Sequence, residues 1–385
     1  MINSYAVDIR RKLHMYPEIG FDLEKTLSLL KNELSKIGVD YTEKYGKSCI
    51  VATINPEKDH LTIGIRADMD ALPIIEENDV DYRSRIEGRM HACGHDAHTA
   101  IALATLKDLY AIKDQIHCCV KFLFQSGEEG YGGARYMAED GVMNDIDCII
   151  ALHVDSVCRV GEIRLKPAEQ NANLDNFSLE FFGKNSHVAR QQTGVDANML
   201  AIKAYTAIEF MMAKEVRYDD VALFNAGEIH GGTADNIISS YCRMGCTLRT
   251  WENETEKRLL DRIKNIAEMT AETSGGKAKM VMHSHYPVLV NHEGMTQRVR
   301  AAAEKVIGAE NIKQHIRSTG AEDFAFLARL KPACMFRLGI VNEEKRTPYA
   351  THTAKFDIDE EALDVGIRIL KQFIFDNMDM PKFEG

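Results

Sequence analysis

Leu61-Thr62-Ile63-Gly64-Ile65-Arg66-Ala67, running straight into Asp68-Met69-Asp70, decides how the first half of this chain is read. A short apolar run of this kind is a buried strand, and two more follow it, Cys118 to Phe124 and Cys148 to Val154. Between the first two lies Ala97 to Ile112, rich in Ala and Leu and of helical length. Upstream, Leu23, Leu27, Leu30, Leu34 and Ile37 repeat at helical spacing, which predicts an amphipathic helix with Asp22 as its N-cap. Strands alternating with helices predict an α/β fold, a mostly parallel sheet flanked by helices, whose sites form at the C-terminal strand ends.

That rule gives scattered side chains a common address. Asp68 and Asp70 follow the first strand, Glu128 and Glu129 the second, and His153 ends the third. The helix between them opens on Met90-His91-Ala92-Cys93-Gly94-His95-Asp96-Ala97-His98. Imidazole and thiolate hold borderline-soft divalent metals, and Cys93 and His95, two apart, can face one ion from an extended segment. Taken singly, a Cys or a His at a buried helix start is ordinary core; clustering points to metal chemistry without naming the metal. In Gln125-Ser126-Gly127-Glu128-Glu129-Gly130 adjacent carboxylates diverge, so one can bind a metal while its neighbour addresses a water. Either aspartate of Asp68-Met69-Asp70 can serve as a ligand or accept an imidazole N–H from behind. His153 and His352 stand alone in sequence, and only their placement draws them in.

From about Asn173 the pattern changes. Phe177, Leu179 and Phe181 alternate with polar residues, followed by a helix Val195 to Met212, strands Val221 to Ile229 and Ser239 to Leu248, a charged helix Glu254 to Thr273, and a strand Lys277 to His285. The order βαββαβ is the ferredoxin-like signature, and the alternation fits a sheet packed on one side. From Pro287 helix and strand pieces return, ending in Ile358 to Phe375. The expected division is a larger domain at 1–172 that carries the metal-ligand candidates, a smaller inserted domain at 173–286, and the rest of the larger domain at 287–385.

Bulk properties exclude several classes. A chain of 385 residues exceeds what one hydrophobic core usually fills. With 58 acidic against 47 basic residues there is no basic excess to neutralise phosphates, so nucleic acid is not an expected partner. The first residues carry neither the basic nor the apolar region of a signal peptide, and no apolar run is long enough to span a membrane. Nine cysteines without paired spacing fit a reducing compartment, so a cytoplasmic location without membrane contact is expected. Cys118, Cys119, Cys242 and Cys246 read as core residues.

Motifs in fixed order carry a family resemblance: Arg11-Lys12-Leu13-His14-Met15-Tyr16-Pro17-Glu18, Arg66-Ala67-Asp68-Met69-Asp70-Ala71-Leu72-Pro73, the Cys93 cluster, Gly127-Glu128-Glu129, His153, Gly320-Ala321-Glu322-Asp323-Phe324, and His352 ahead of Asp357-Ile358-Asp359-Glu360-Glu361-Ala362-Leu363. Over nearly its whole length the chain resembles the dinuclear metal-dependent amidohydrolases and peptidases that include aminoacylases, hippurate hydrolases, N-acetyl-diaminopimelate deacetylases and auxin-conjugate hydrolases. The resemblance implies that Cys93, His95, Glu129, His153 and His352 hold two divalent ions, which could be zinc, manganese, nickel or cobalt, with the Cys93 thiolate between them. It further implies Glu128 as general base and Asp70 as a carboxylate behind the metal site. It makes 1–172 and 287–385 the catalytic domain and the inserted 173–286 a lid or dimerisation domain, in which it points to His187 as a donor to the developing oxyanion, and to Asn236 and Arg249 as a clamp on the substrate carboxylate. A homodimer through the lid is implied as well.

The implied reaction is hydrolysis of the amide of an N-acyl amino acid, with a metallo-carboxypeptidase or dipeptidase as the alternative. A binding protein that kept the fold but lost catalysis would be expected to lack Glu128, which is present. Zinc nucleobase deaminases also combine His, Cys and Glu, but their Pro-Cys-x-x-Cys pair is absent. The chain departs from its relatives after the lid histidine, where it reads Val188-Ala189-Arg190-Gln191-Gln192, and at Thr351-His352-Thr353-Ala354, which has no proline after the histidine.

Overall fold

The computed structural model describes residues 3–57, 60–218, 220–345 and 349–380. Two compact units divide the chain: Met1–Gln170, Val290–Ile316 and Asp323–Gly385 form the larger, Asn171–Leu289 with Arg317–Glu322 the smaller. In chain order the larger unit begins with α1 (Ser4–His14), α2 (Glu24–Ile37), β1 (Asp40–Thr42), β2 (Ile50–Ile54), β3 (Thr62–Asp68), α3 (His95–Tyr110), β4 (Cys119–Gln125), α4 (Gly133–Glu139), β5 (Cys148–Arg159) and β6 (Ile163–Leu165). The smaller unit contributes β7 (Leu174–Phe182), α5 (Ala197–Glu215), β8 (Ala222–Gly231), β9 (Tyr241–Thr250), α6 (Asn253–Thr273) and β10 (Lys277–Tyr286). The chain then supplies α7 (Glu293–Ile307), β11 (Ile312–Gln314), α8 (Ala325–Ala328), β12 (Ala333–Val341) and α9 (Glu361–Asn377) to the larger unit.

The large sheet runs β1-β2-β4-β3-β5-β12-β6-β11. The β3–β4, β3–β5, β5–β12 and β6–β11 pairs are parallel, as the alternation of strands and helices requires. Antiparallel pairs bring in β1, β2 and β6, short strands that hydropathy alone does not single out. Alternate residues of the central strands, among them Ile63, Ile65, Phe122, Phe124, Leu152, Val154, Phe336 and Leu338, share one core with apolar side chains of α1, α2, α3, α7 and α9. The opposite set, Leu123, Ile149, Ala151 and Met335, is buried as well, which is why these strands read as continuous apolar runs.

The expected cap on α2 does not form. Leu23 holds the N-cap position without a side-chain bond, and the orphan N–H groups of Lys25 and Thr26 are accepted instead by the Glu18 carboxylate at 3.0 and 2.8 Å. A carboxylate six residues before the helix does what the adjacent Asp22 was expected to do. The strand of His153 also runs on past the expected end, to Arg159.

In the smaller unit the sheet order β8-β9-β7-β10, antiparallel throughout, is that of a ferredoxin-like βαββαβ fold. Along β9 buried and half-exposed residues alternate, and the buried set packs with α5 and α6 into a core of its own. Asp196 caps α5, accepting from the N–H of Asn198 at 3.0 Å and of Met199 at 3.4 Å. Cys118, Cys119, Cys242 and Cys246 are buried core residues as expected. No helix among the described residues is long and apolar enough to cross a membrane.

Candidate metal centre

Four chain segments of the larger unit meet beyond the ends of β3 and β4. Gly94 adopts φ +86°, and a Cβ there would come 2.5 Å from Val154, so only glycine lets Cys93 and His95 turn toward the same point before α3 begins. Gly127, at φ +66°, likewise admits the Glu128-Glu129 turn against Phe21. His352 is itself left-handed at φ +64°, unusual for a residue with a Cβ, and its N–H donates to the Ala92 carbonyl at 2.7 Å. That strained turn brings its ring to the cluster.

The donor atoms sit at telling distances. Cys93 Sγ lies 3.4 Å from His153 Nε2 and 3.3 Å from His352 Nε2. Glu129 Oε1 lies 3.4 Å from His352 Nε2 and 3.8 Å from His95 Nε2. Ligands bound at about 2.0–2.3 Å in a tetrahedral shell stand about 3.3–3.8 Å apart, the edge being about 1.6 bond lengths. Both ring nitrogens of His95 and the Glu129 Oε1 are buried without a hydrogen-bond partner. Buried polar atoms left this way are costly unless something else satisfies them, and a cation does. Cys93, His95 and His153, and separately Cys93, Glu129 and His352, form groups compact enough to hold an ion. The donor set therefore fits a metal centre.

Orienting contacts fix the tautomers. His153 Nδ1–H donates to the Val154 carbonyl at 2.7 Å, leaving Nε2 with its lone pair toward Cys93. Asp70 accepts the N–H groups of Glu128 and Glu129 at 2.9 and 3.1 Å and lies 3.5 Å from His95 Nδ1. It therefore buttresses the carboxylate turn as well as the imidazole, where the sequence suggested only the second. Glu128 is 7% exposed and groups with His95 and Glu129.

The local field asks for positive charge. Burial alone disfavours a charged His95, yet Asp68 and the Cys93 sulfur hold its pKa well above the ordinary range. Burial alone would raise Glu129, but the His352 ring 3.4 Å away and the charge of His95 hold it low. Burial, with Glu129 beside it, pushes the Cys93 thiol up, and burial with Arg337 pushes His153 down. A cation bound here inverts this balance for the thiol, which coordinates as thiolate.

Several partners of the expected residues, Arg66 and His98 among them, escaped the sequence reading, whereas Asp68 takes the imidazole-orienting role open to it. Asp68 accepts from Arg66 Nη1 at 2.6 Å and from His98 Nδ1 at 2.5 Å, while His98 Nε2 accepts the Val154 N–H at 2.9 Å. His98 thus ties the end of β3 to the His153 segment of β5. Arg66 also reaches Gln125 at 2.8 Å and Asp323 at 2.7 Å. An arginine inside an otherwise apolar strand was the available signal. Next to the site a second polar cluster is buried: Arg10 reaches Asp96 at 3.2 Å, Asp357 at 2.5 Å and Glu360 at 3.1 Å. His14 joins it through Asp96 at 2.7 Å and Glu76 at 3.2 Å. Burial opposes charge on His14, but Asp96 and Glu76 raise its pKa to about 9. His91, buried nearby without such partners, is pushed down to about 3.

His187, Asn236 and Arg249 belong to the smaller unit. His187 caps the turn after it, its Nδ1 accepting from the Ala189 N–H at 3.1 Å. The Asn236 carbonyl accepts from the Val188 N–H at 3.0 Å, and Arg249 Nη1 donates to the Thr319 carbonyl at 2.5 Å.

With this geometry in view, the comparisons with known proteins are specific. Residues 64–376 match the peptidase family M20/M25/M40, and the chain belongs to that family. It is 34% identical to N-acetyldiaminopimelate deacetylase of Bacillus cytotoxicus over 377 residues, covering 97% of this chain and 98% of the relative. To thermostable carboxypeptidase 1 of Saccharolobus solfataricus it is 32% identical over 372 residues, 95% of this chain and 93% of that one. The crystal structure of Bacillus subtilis YXEP protein, described as a dinuclear metal-binding peptidase of the M20 family, superposes with a TM-score of 0.84 at 26% identity, covering 98% of both chains. The protein is thus an M20-family hydrolase with the family's α/β architecture and lid.

Proposed function

We propose that the protein hydrolyses the amide bond of N-acyl amino acids, with Cys93, His95, Glu129, His153 and His352 holding two divalent metal ions and Glu128 acting as general base. The observation that carries this reading is the pairing of orphaned donors on His95 and Glu129 with a second, adjacent carboxylate. Bound zinc, manganese, nickel or cobalt would supply Lewis acidity to the amide carbonyl and bring the pKa of the attacking water toward about 7. Asp70, by gripping both N–H groups of the turn, sets the divergence of the two carboxylates. Glu128 then takes the proton of the attacking water and delivers it to the leaving nitrogen.

The lid supplies the remaining roles. Because His187 Nδ1 accepts a hydrogen bond, the neutral ring carries its proton on Nε2, the donor suited to the oxygen that becomes negative. Arg249, steadied on the Thr319 carbonyl, offers a fork to the substrate carboxylate, and the Asn236 amide assists. An exposed stripe on α5 (Met199, Ile202 and Phe210, the last 67% exposed) and the edge strand β8 with Leu223 and Ile229 support a homodimer through the lid. The nine free cysteines support a cytoplasmic location.

One observation favours a second reading: the relative named carboxypeptidase is matched over nearly the same length as the deacetylase. Amine release from a panel of N-acyl amino acids and dipeptides separates the two, using metal-reconstituted protein beside Glu128→Gln. Preference for N-acyl amino acids by the intact protein alone is the expected result. Preference for dipeptides moves the reading to a peptidase, and inactivity with all four metals removes it.

A further inference from the structure

Within the larger unit, β5 runs on past its pairing with β3, which extends from Ile63 opposite Cys148 as far as Arg66 opposite Ala151. The Val154 N–H lies three residues beyond that last pair and is buried, so it needs an acceptor. It donates to His98 Nε2 at 2.9 Å. A main-chain N–H can only donate, so Nε2 carries a lone pair and the ring proton sits on Nδ1, which donates to Asp68 at 2.5 Å. Asp68 is held in turn by Arg66 Nη1 at 2.6 Å. The other polar group of Val154, its carbonyl, accepts from His153 Nδ1 at 2.7 Å. His98 therefore grips the residue whose carbonyl aims the His153 ring, and it does so from a position fixed by a buried ion pair.

We propose that His98 is a positioning residue for His153, and that through it the ion held by Cys93, His95 and His153 is supported separately from the ion held by Cys93, Glu129 and His352. This rests on the two-ion reading above and adds an asymmetry to it. Among the described residues the hydrogen bonds of His98 go to Asp68 and Val154, and its ring centroid stands 4.7 Å from that of His153 and 5.4 Å from that of His95. Both of those rings belong to the first donor group. The second group is held by other bonds, from the Glu129 N–H to Asp70 and from the His352 N–H to the Ala92 carbonyl. Removing a contact that orients a ligand imidazole typically costs about tenfold to a hundredfold in metal affinity, and here that loss falls on one ion.

Two substitutions divide the bonds of His98. His98→Gln keeps an acceptor near the place of Nε2 for the Val154 N–H, whereas His98→Asn keeps a donor near the place of Nδ1 for Asp68 and leaves that N–H without its acceptor. Competition between zinc-loaded protein and a chromogenic chelator reads the two ions in turn. His98→Asn is expected to weaken one ion by about tenfold to a hundredfold and leave the other unchanged, while His98→Gln stays close to the intact protein. Equal weakening of both ions, no weakening, or equal effects of the two substitutions overturns the positioning role while the metal reading stands. If the intact protein binds a single ion that His98→Asn weakens, the positioning role is kept and the two-ion reading falls; if it binds none, both fall. A second measurement does not depend on how the variants fold: nitrogen NMR of the intact zinc-loaded protein should show His98 protonated on Nδ1, with Nε2 sharing the Val154 amide proton. A ring protonated on Nε2 would overturn the proposal.

Discussion

Two buried polar clusters lie side by side in the larger unit, and adjacent residues of α3 belong to different ones. Around His95 the donors stand 3.3–3.8 Å apart, and both nitrogens of His95 have no partner. Around Asp96 the groups pair off: Arg10 reaches three carboxylates, and His14 donates from both nitrogens. Both are rich in charge and hidden from water, so burial and composition do not tell them apart. What separates them is satisfaction. A paired cluster is a structural tie, here joining α1 to the segments that carry His95 and His352; a cluster of unpaired donors is built around something that is not protein.

The contrast can be broken most sharply at Glu128. Glu128→Gln is expected to lower kcat about a thousandfold, worth about 4 kcal/mol of transition-state stabilisation, while elemental analysis still finds two metal ions per chain. Loss of metal together with activity would instead make Glu128 a ligand. Arg10→Met should leave the metal donors in place but destabilise the fold by about 3–4 kcal/mol in urea titration, because Asp357 loses its cation while Asp96 keeps only His14 and Glu360 only Arg11. If Arg10→Met folds as stably as the parent protein, the tie is dispensable.

His14 gives the paired cluster a pH signature. Its folded pKa of about 9 lies above the ordinary 6.5, so its stabilisation is complete below about pH 6.5 and fades as pH rises through 9. The shift corresponds to about 3 kcal/mol, and His14→Gln should flatten that part of the stability curve. Urea midpoints from pH 6 to pH 10 read it directly; parallel curves for the two proteins would exclude the charged ring. The smallest change belongs to the surface: breaking the exposed Lys12–Asp8 pair with Lys12→Ala should move stability by less than about 0.5 kcal/mol.

The lid shows a different balance between what was legible and what was not. Its alternating strands and two helices were readable because each buries one face, and period is a local property. In the larger unit the apolar runs identified β3, β4 and β5, but β2 and β6 are short and found their places only through pairing with distant strands. Asp22 was the natural cap by sequence, yet Glu18 won, since a chain folded back on itself can bring a longer carboxylate to the same N–H groups. The links from His98 to Asp68 and from the Val154 N–H to His98 were invisible for the same reason: they join residues far apart in sequence.

By itself the sequence determined the chemistry available, a thiol, imidazoles and paired carboxylates at strand ends, and the class of fold, because side-chain type and hydrophobic period are properties of neighbouring residues. The tertiary structure alone decided which of those groups go unpaired. His95 and Asp96 differ in role because the ring nitrogens of one stand 3.5 Å or more from the carboxylates around them, without a hydrogen bond, while the other is paired by Arg10 and His14. Hydrogen bonding and ion pairing depend on distances of a few ångströms between segments that only folding brings together.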